Sequence, residues 1–175
     1  DQRWRIEHAQ IVALDDIPRF AAMGVIASMQ PTHATSDMPW AEDRVGAQRI
    51  RGAYAWRRML DAGVRLALGS DFPVESVNPM LGLHAAVTRQ DTEGKPRGGW
   101  TPDQRLNANE ALRGFTLDAA FAGFAEHEVG SLTAGKRADF VVLSDDVLAI
   151  APANLSQVQV RTTYVDGAEV FRAQE

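Results

Sequence analysis

Three short apolar runs, each stopping on residues that can do chemistry, alternate with stretches of helical spacing, and this alternation points to parallel strands joined by helices. In the last run Val64, Leu66 and Leu68 alternate as a strand does. Gly63 closes the helical stretch Arg57-Arg58-Met59-Leu60-Asp61-Ala62 before it, and the run breaks at Gly69-Ser70 to deliver Asp71. Where parallel strands close into a barrel, the residue just past a strand's carboxyl end faces the mouth in which chemistry is done. Asp71 is therefore a candidate acid, although an Asp ahead of Phe-Pro is also ordinary turn composition.

The first run, Trp4-Arg5-Ile6-Glu7-His8-Ala9, puts Ile6 and His8 on one face at period two, with His8 at the strand's end and Glu7 turned away. Taken singly, His8 reads either as a ligand or as a surface or core histidine. Asp15-Asp16-Ile17-Pro18 opens a helix that carries Phe20, Ala21 and Met23 as far as Gly24. The second run, Val25-Ile26-Ala27-Ser28-Met29-Gln30, is nearly continuous, as expected where both faces of a parallel sheet are covered, and it leads into Pro31-Thr32-His33.

From Ala34 to Gly46 there is no periodicity, so a long loop is expected there, carrying Trp40. Ile50, Ala53, Tyr54, Trp56, Met59 and Leu60 then come close to helical spacing, with Arg49, Arg51, Arg57 and Arg58 largely off the stripe. A short helix is expected through Leu81, Leu83, Ala85 and Val87, and another from Asn107 to Glu110 onward. Between them, Asp91 to Trp100 holds Gly94, Pro96, Gly98 and Gly99 and reads as a mobile loop.

His8, His33 and Asp71 stand 25 and 38 residues apart (33 − 8 and 71 − 33), against about 31 residues for one strand-helix unit of an eightfold barrel. The spacing brings all three into one mouth. Two imidazoles and a carboxylate form a site for a divalent metal, and the carboxylate can also accept a proton from metal-bound water. The chain has no cysteine, which excludes thiolate ligands and disulfides and leaves His and carboxylate donors.

A net charge of −5 with scattered Lys and Arg gives no clustered positive surface, so no nucleic-acid partner is expected. No apolar run approaches the roughly 20 residues of a membrane span, and the first residues are polar and charged. No membrane association is expected, and a cytoplasmic location is. With 175 residues at 45% hydrophobic content, the chain can bury a sizeable core.

Composition shifts near Glu128, so residues 1–128 are expected to form one unit and 129–175 a second. Gly130-Ser131-Leu132 and Gly135-Lys136-Arg137-Ala138-Asp139 lead to the strand Phe140-Val141-Val142-Leu143. Two more strands are expected at Val158 to Val165 and Ala168 to Phe171, joined by Asp166-Gly167, a strong hairpin signal. The tail holds no histidine and reads as structural.

Three segments carry a family resemblance: Arg5-Ile6-Glu7-His8-Ala9-Gln10, Ser28-Met29-Gln30-Pro31-Thr32-His33 and Gly69-Ser70-Asp71-Phe72-Pro73-Val74. Together they resemble the amidohydrolase superfamily, specifically the amidohydrolase 3 branch that includes YtcJ-like and N-substituted formamide deformylase-like proteins. The resemblance implies an α/β fold: the C-terminal part, strands 6–8 with helices, of a TIM-like (β/α)8 metal-dependent hydrolase barrel, followed by a small β-sandwich segment. It makes His8 a metal ligand closing the sixth strand, and Asp71, after the eighth, a metal ligand and general acid/base. His33, after the seventh, becomes a substrate-pocket residue. Trp4 stands where relatives often have His and is not expected to touch the chemistry.

The family's His-x-His on the first strand, its lysine or acid on the fourth and its histidine on the fifth have no counterpart here. The site is therefore expected to be incomplete, the isolated chain inactive, and the sheet packed against the missing half of the barrel or another copy of the chain, as a homo-oligomer. The implied cofactor is a divalent metal, Zn2+, as one or two ions. The implied reaction is hydrolysis of a C–N bond in a small-molecule amide or formamide by a metal-activated water. Trp40, Phe72 and Trp100 are either an apolar substrate pocket or loop anchors. A different class stays open as well, a non-catalytic fragment or scaffold module that binds no metal.

Overall fold

A computed structural model describes residues 1–174 of the chain. Its first half is a parallel sheet. β1 (Arg5–Glu7) is followed by α1 (Ile17–Met23), which has Pro18 in its first turn and ends on Gly24 in the left-handed conformation. β2 (Ile26–Met29) pairs parallel to β1 with Glu7 opposite Ser28, and then gives way to α2 (Pro31–Asp37) and α3 (Ala41–Arg49). α4 (Trp56–Asp61) returns the chain to β3 (Leu66–Leu68), which pairs parallel to β2 with Ser28 opposite Ala67.

The alternation in the strands sorts their side chains onto two faces. Ala27, Met29, Leu66 and Leu68 join the main core with Phe20, Trp56 and Met59, whereas Ile26 and Ala67 pack on the other side with Ala122. β2 and β3 are buried, while Arg5, Ile6 and Glu7 of β1 are exposed along a free edge.

The stretch 34–46 is not a long loop. Pro31 starts α2 because its fixed φ suits a first helical turn and its missing N–H is not needed there. The buried residues of α2 are Pro31, Thr32, His33 and Ala34, a mixture that carries no apolar stripe. α3 is polar and breaks at Gly46, where φ is 77°.

After β3 the chain leaves the sheet and forms α5 (Pro79–Thr88), capped by the Asn78 side chain, which accepts from Met80 N. The loop 91–100 is densely tied. Asp91 Oδ1 accepts from the Glu93 and Lys95 backbone, both at 2.9 Å, and the Gln90 amide donates to Gly94 O and Pro96 O. Trp100 packs edge-on against Tyr54 at a centroid distance of 5.9 Å, so it is a core anchor, which corrects the pocket alternative for this residue.

α6 (Ala108–Arg113) begins with a capping box between Asn107 and Glu110 and runs through a π-helical turn at Gly114–Asp118 into α7 (Ala119–Ala122). The tail forms β4 (Phe140–Leu143), β5 (Val160–Val165) and β6 (Ala168–Arg172). Asp166 and Gly167, with φ of 52° and 79°, make the expected hairpin.

Among the described residues this tail is a single three-stranded antiparallel sheet, one layer of the expected sandwich segment. No second layer of strands among the described residues covers it, and Val141, Val165, Val170 and Phe171 are exposed. Glu175, the last residue of the expected tail unit, lies outside the described residues. Among those described, no helix is long and apolar enough to cross a membrane.

Close packing beneath the β1 turn gives a stability test. A methyl group on Gly52 would stand 1.8 Å from the Val12 carbonyl oxygen, whereas one on Gly69 would meet nothing within 4 Å. Gly52→Ala is expected to lower stability by about 2 kcal/mol or more, and Gly69→Ala to change it by less than about 0.5 kcal/mol. Denaturant midpoints at equal m-values check both.

Candidate functional site

The three parallel strands end level with one another, and each hands on one of the predicted site residues. His8 follows β1 directly, His33 is the third residue of α2 after β2, and Asp71 comes three residues past β3. His33 Nε2 lies 3.5 Å from Asp71 Oδ2 and His8 Nδ1 lies 3.9 Å from the same oxygen. The two imidazoles stack with centroids 5.7 Å apart and planes inclined by 27°. One donor atom from each of the three falls within 4.8 Å of the others.

The backbone at this site is strained. His8, Ala9 and Asp71 have φ of 67°, 40° and 59°, in the left-handed region that side chains seldom occupy. Strain of this kind persists only where the surroundings over-determine it, and it concentrates at functional sites. The turn after His8 is held by Tyr54 N donating to Gln10 O at 2.7 Å and by an antiparallel bridge between Ile11 and Ala53. At Asp71, Val74 N donates to the Asp71 carbonyl at 2.8 Å.

Burial divides the three residues. His8 is half exposed and Asp71 one-third exposed, whereas the His33 side chain is 9% exposed. Among the described residues neither ring nitrogen of His33 has a hydrogen-bond partner, and the Thr32 hydroxyl beside it is equally orphaned. Buried polar atoms without partners are uncommon and costly. An imidazole with both nitrogens free, beside a carboxylate and a second imidazole, fits a divalent cation or a polar ligand placed among them. Among the described residues nothing else of the His, Cys, Asp and Glu type gathers in this way.

Phe72 follows Asp71 and is 65% exposed, and Trp40, between α2 and α3, is 48% exposed. The loop that carries Phe72 is tied to α2 where the Ser36 hydroxyl donates to Glu75 at 2.7 Å. Glu7 pairs with Arg5 and takes no part. A cleft of about 610 Å³ touches His8 but runs along the free edge of β1, past Ile6, Ile11, Phe20 and Met23, away from His33 and Asp71.

Sequence reasoning missed the polar residues that hold this cluster. Gln30 Oε1 lies 3.0 Å from His8 Nδ1. Gln10 Nε2 donates to the Tyr54 hydroxyl at 2.9 Å and to Asp37 Oδ2 at 3.3 Å, and the Tyr54 hydroxyl donates to the same Asp37 oxygen. Burial, reinforced by the hydrogen bond to Asp37, pushes the Tyr54 phenol far above its usual pKa, so it stays a donor. Both glutamines lie inside the segments that carry the resemblance. The available signal was their position, three residues past a strand end for Gln10 and one for Gln30.

A model of the amidohydrolase family matches residues 1–171 of the chain. YtcJ of Bacillus subtilis (strain 168), named as an amidohydrolase, is 35% identical over 167 residues, which is 95% of this chain and 32% of YtcJ. The N-substituted formamide deformylase of Arthrobacter pascens is 37% identical over 167 residues, 93% of this chain and 30% of that protein. Among solved structures, an uncharacterized metal-dependent hydrolase from Pyrococcus horikoshii OT3 superposes with a TM-score of 0.74 at 31% identity, covering 85% of this chain and 30% of the other. The chain thus spans about a third of the length of the curated relatives it matches.

The donor cluster makes a direct expectation about cations. Titrating the chain calorimetrically with Zn2+ should show binding, and His8→Asn and Asp71→Asn should each weaken it about tenfold or more. Equal affinity in parent and variants would remove those side chains from the coordination set.

Proposed function

Because the chain belongs to the amidohydrolase family, we propose that it is part of a metal-dependent hydrolase that cuts the C–N bond of a small amide or formamide, with His8 and Asp71 as metal ligands. The observation that carries this reading is the convergence of His8, His33 and Asp71 within 4.8 Å at the carboxyl ends of three parallel strands. The metal is zinc in this reading, as one or two ions. Imidazole and carboxylate donors suit it, and the chain offers no thiolate. When bound there, the cation supplies Lewis acidity that brings the pKa of water toward 7.

The protein's own groups do the rest. Asp71 accepts a proton at a carboxylate oxygen as the water oxygen bonds to the amide carbon, and returns it to the nitrogen as the C–N bond breaks. The products are a carboxylic acid, formic acid where the substrate is a formamide, and an amine. His33, buried and with both ring nitrogens unpaired, binds and orients the substrate carbonyl. Trp40 and Phe72, exposed on the loops after α2 and β3, supply apolar contact for a hydrophobic substituent on the nitrogen. The relative from Arthrobacter pascens, an N-substituted formamide deformylase, supports the substrate class.

The same proposal covers the open sheet. β1 offers an unpaired edge beside exposed Trp4, Ile6, Ile11 and Met23, and such an edge invites pairing. The rest of a (β/α)8 barrel, in a longer polypeptide or supplied by a second copy, would cover it. The 19.1 kDa chain is accordingly expected to self-associate in sedimentation velocity. A monodisperse monomer that unfolds cooperatively would count against this.

Activity separates the roles. In the complete enzyme, Asp71→Asn is expected to lower amide hydrolysis by about 10²–10⁴-fold, and His33→Asn to lower kcat by roughly 10²-fold while the zinc content stays that of the parent. Unchanged turnover in Asp71→Asn would remove that residue from the reaction.

A further inference from the structure

We infer that Gln30 is a positioning residue whose carboxamide oxygen takes the Nδ1 proton of His8 and thereby fixes which ring nitrogen keeps a lone pair. Gln30 ends the second strand run and precedes α2, and it is 7% exposed. Its Oε1, 3.0 Å from His8 Nδ1, bridges the ends of two neighbouring strands. A carboxamide oxygen only accepts, so the contact requires a proton on Nδ1 and leaves the lone pair on Nε2.

Two further observations set this polarity. Asp71 Oδ2 stands 3.9 Å from the same Nδ1, too far for a hydrogen bond, yet its negative charge favours an N–H over a lone pair at that nitrogen. The left-handed turn at His8 and Ala9, with φ of 67° and 40°, leaves the imidazole half exposed, and among the described residues no protein group other than Gln30 hydrogen-bonds it. Buried Gln30 is therefore what keeps the ring from turning and from exchanging tautomers with water. Metal-ligating histidines commonly donate their second N–H to a protein acceptor, which orients the ring and raises its basicity. Gln30 does this for His8 from the neighbouring strand.

The consequence for a cation rests on the reading of His8 as a ligand, whereas the tautomer is a property of the metal-free chain. Two-bond 1H–15N spectra of the full metal-free chain at about pH 9, where imidazoles are neutral, read it directly, with His8 assigned by its loss in His8→Asn. The Nδ1–H form is expected in the parent and in Gln30→Glu, whose carboxylate also accepts, and a shift toward Nε2–H in Gln30→Leu. Zn2+ affinity should fall about 10–100-fold in Gln30→Leu and recover in Gln30→Glu.

An Nε2–H form in the parent, which needs no variant to fold, would overturn the inference. So would an Nδ1–H signal unchanged in Gln30→Leu, which would hand the role to Asp71. A lost tautomer with unaltered Zn2+ affinity would overturn the positioning role. A parent chain with the Nδ1–H form that binds no Zn2+ would instead sink the metal reading and leave the hydrogen bond standing.

Discussion

The parallel register of β1, β2 and β3 is the constraint on which the site depends. Glu7, Ser28 and Ala67 stand abreast across the sheet, so His8, Gln30 and the Gly69-Ser70-Asp71 segment leave it at nearly one level. A slip of one residue would turn every side chain of a strand to the opposite face. It would bury Ser28 where Ala27 and Met29 now sit and carry Leu66 and Leu68 out of the main core. The register is also fixed from outside the sheet, because Gly114 seats on Leu68 so closely that a methyl there would stand 2.6 Å from the leucine Cδ1. Core packing and site geometry are therefore one requirement.

Tyr54 carries that order from the core to the strained turns. Its N–H bonds the Gln10 carbonyl, its hydroxyl donates to Asp37, and its own carbonyl accepts from Arg89 at 2.9 Å. Arg89 is fully buried with its guanidinium over the Trp56 and Trp100 rings, at 4.4 and 4.9 Å. Burial lowers its pKa to about 9, and its hydrogen bonds go to the Tyr54 and Trp100 carbonyls and the Thr101 hydroxyl. Left-handed residues such as His8 and Ala9 cost on the order of 1–3 kcal/mol each, and this buried network offsets that cost. Because Asp37 ends the helix that begins beside His33, the same tyrosine anchors the carriers of both histidines.

The strand ends were legible in the sequence because each combines an apolar run with an abrupt polar stop. Val64, Leu66 and Leu68 share the main core as their alternation requires, and Asp166-Gly167 turns the hairpin. α2 and α3 were not legible. Pro31 and a buried Thr32-His33 pair start the first, and a polar surface with a glycine break makes the second, so neither writes an apolar period. The glycines and prolines of 91–100 suggested mobility, but the Asp91 and Gln90 side chains close that loop with hydrogen bonds no periodicity encodes. Gln10, Gln30 and Tyr54 were hidden for a related reason, since their partners lie 17 to 44 residues away.

What remains unpaid inside the fold points to the ligand. His33 is buried with two unsatisfied nitrogens and Thr32 with an unsatisfied hydroxyl, and a buried polar group without a partner costs about 1–3 kcal/mol. A chain selected for stability alone would place an apolar residue at position 33, since β2 already ends in a well-packed sheet. The penalty is instead kept 3.5 Å from the Asp71 carboxylate, at the mouth end of the strands, where a bound group that pairs with the imidazole would remove it. On the proposed reading, ligand binding and folding would be coupled through one side chain: a group that satisfied His33 would also stabilise the start of α2, and through Asp37 and Tyr54 the turn that presents His8.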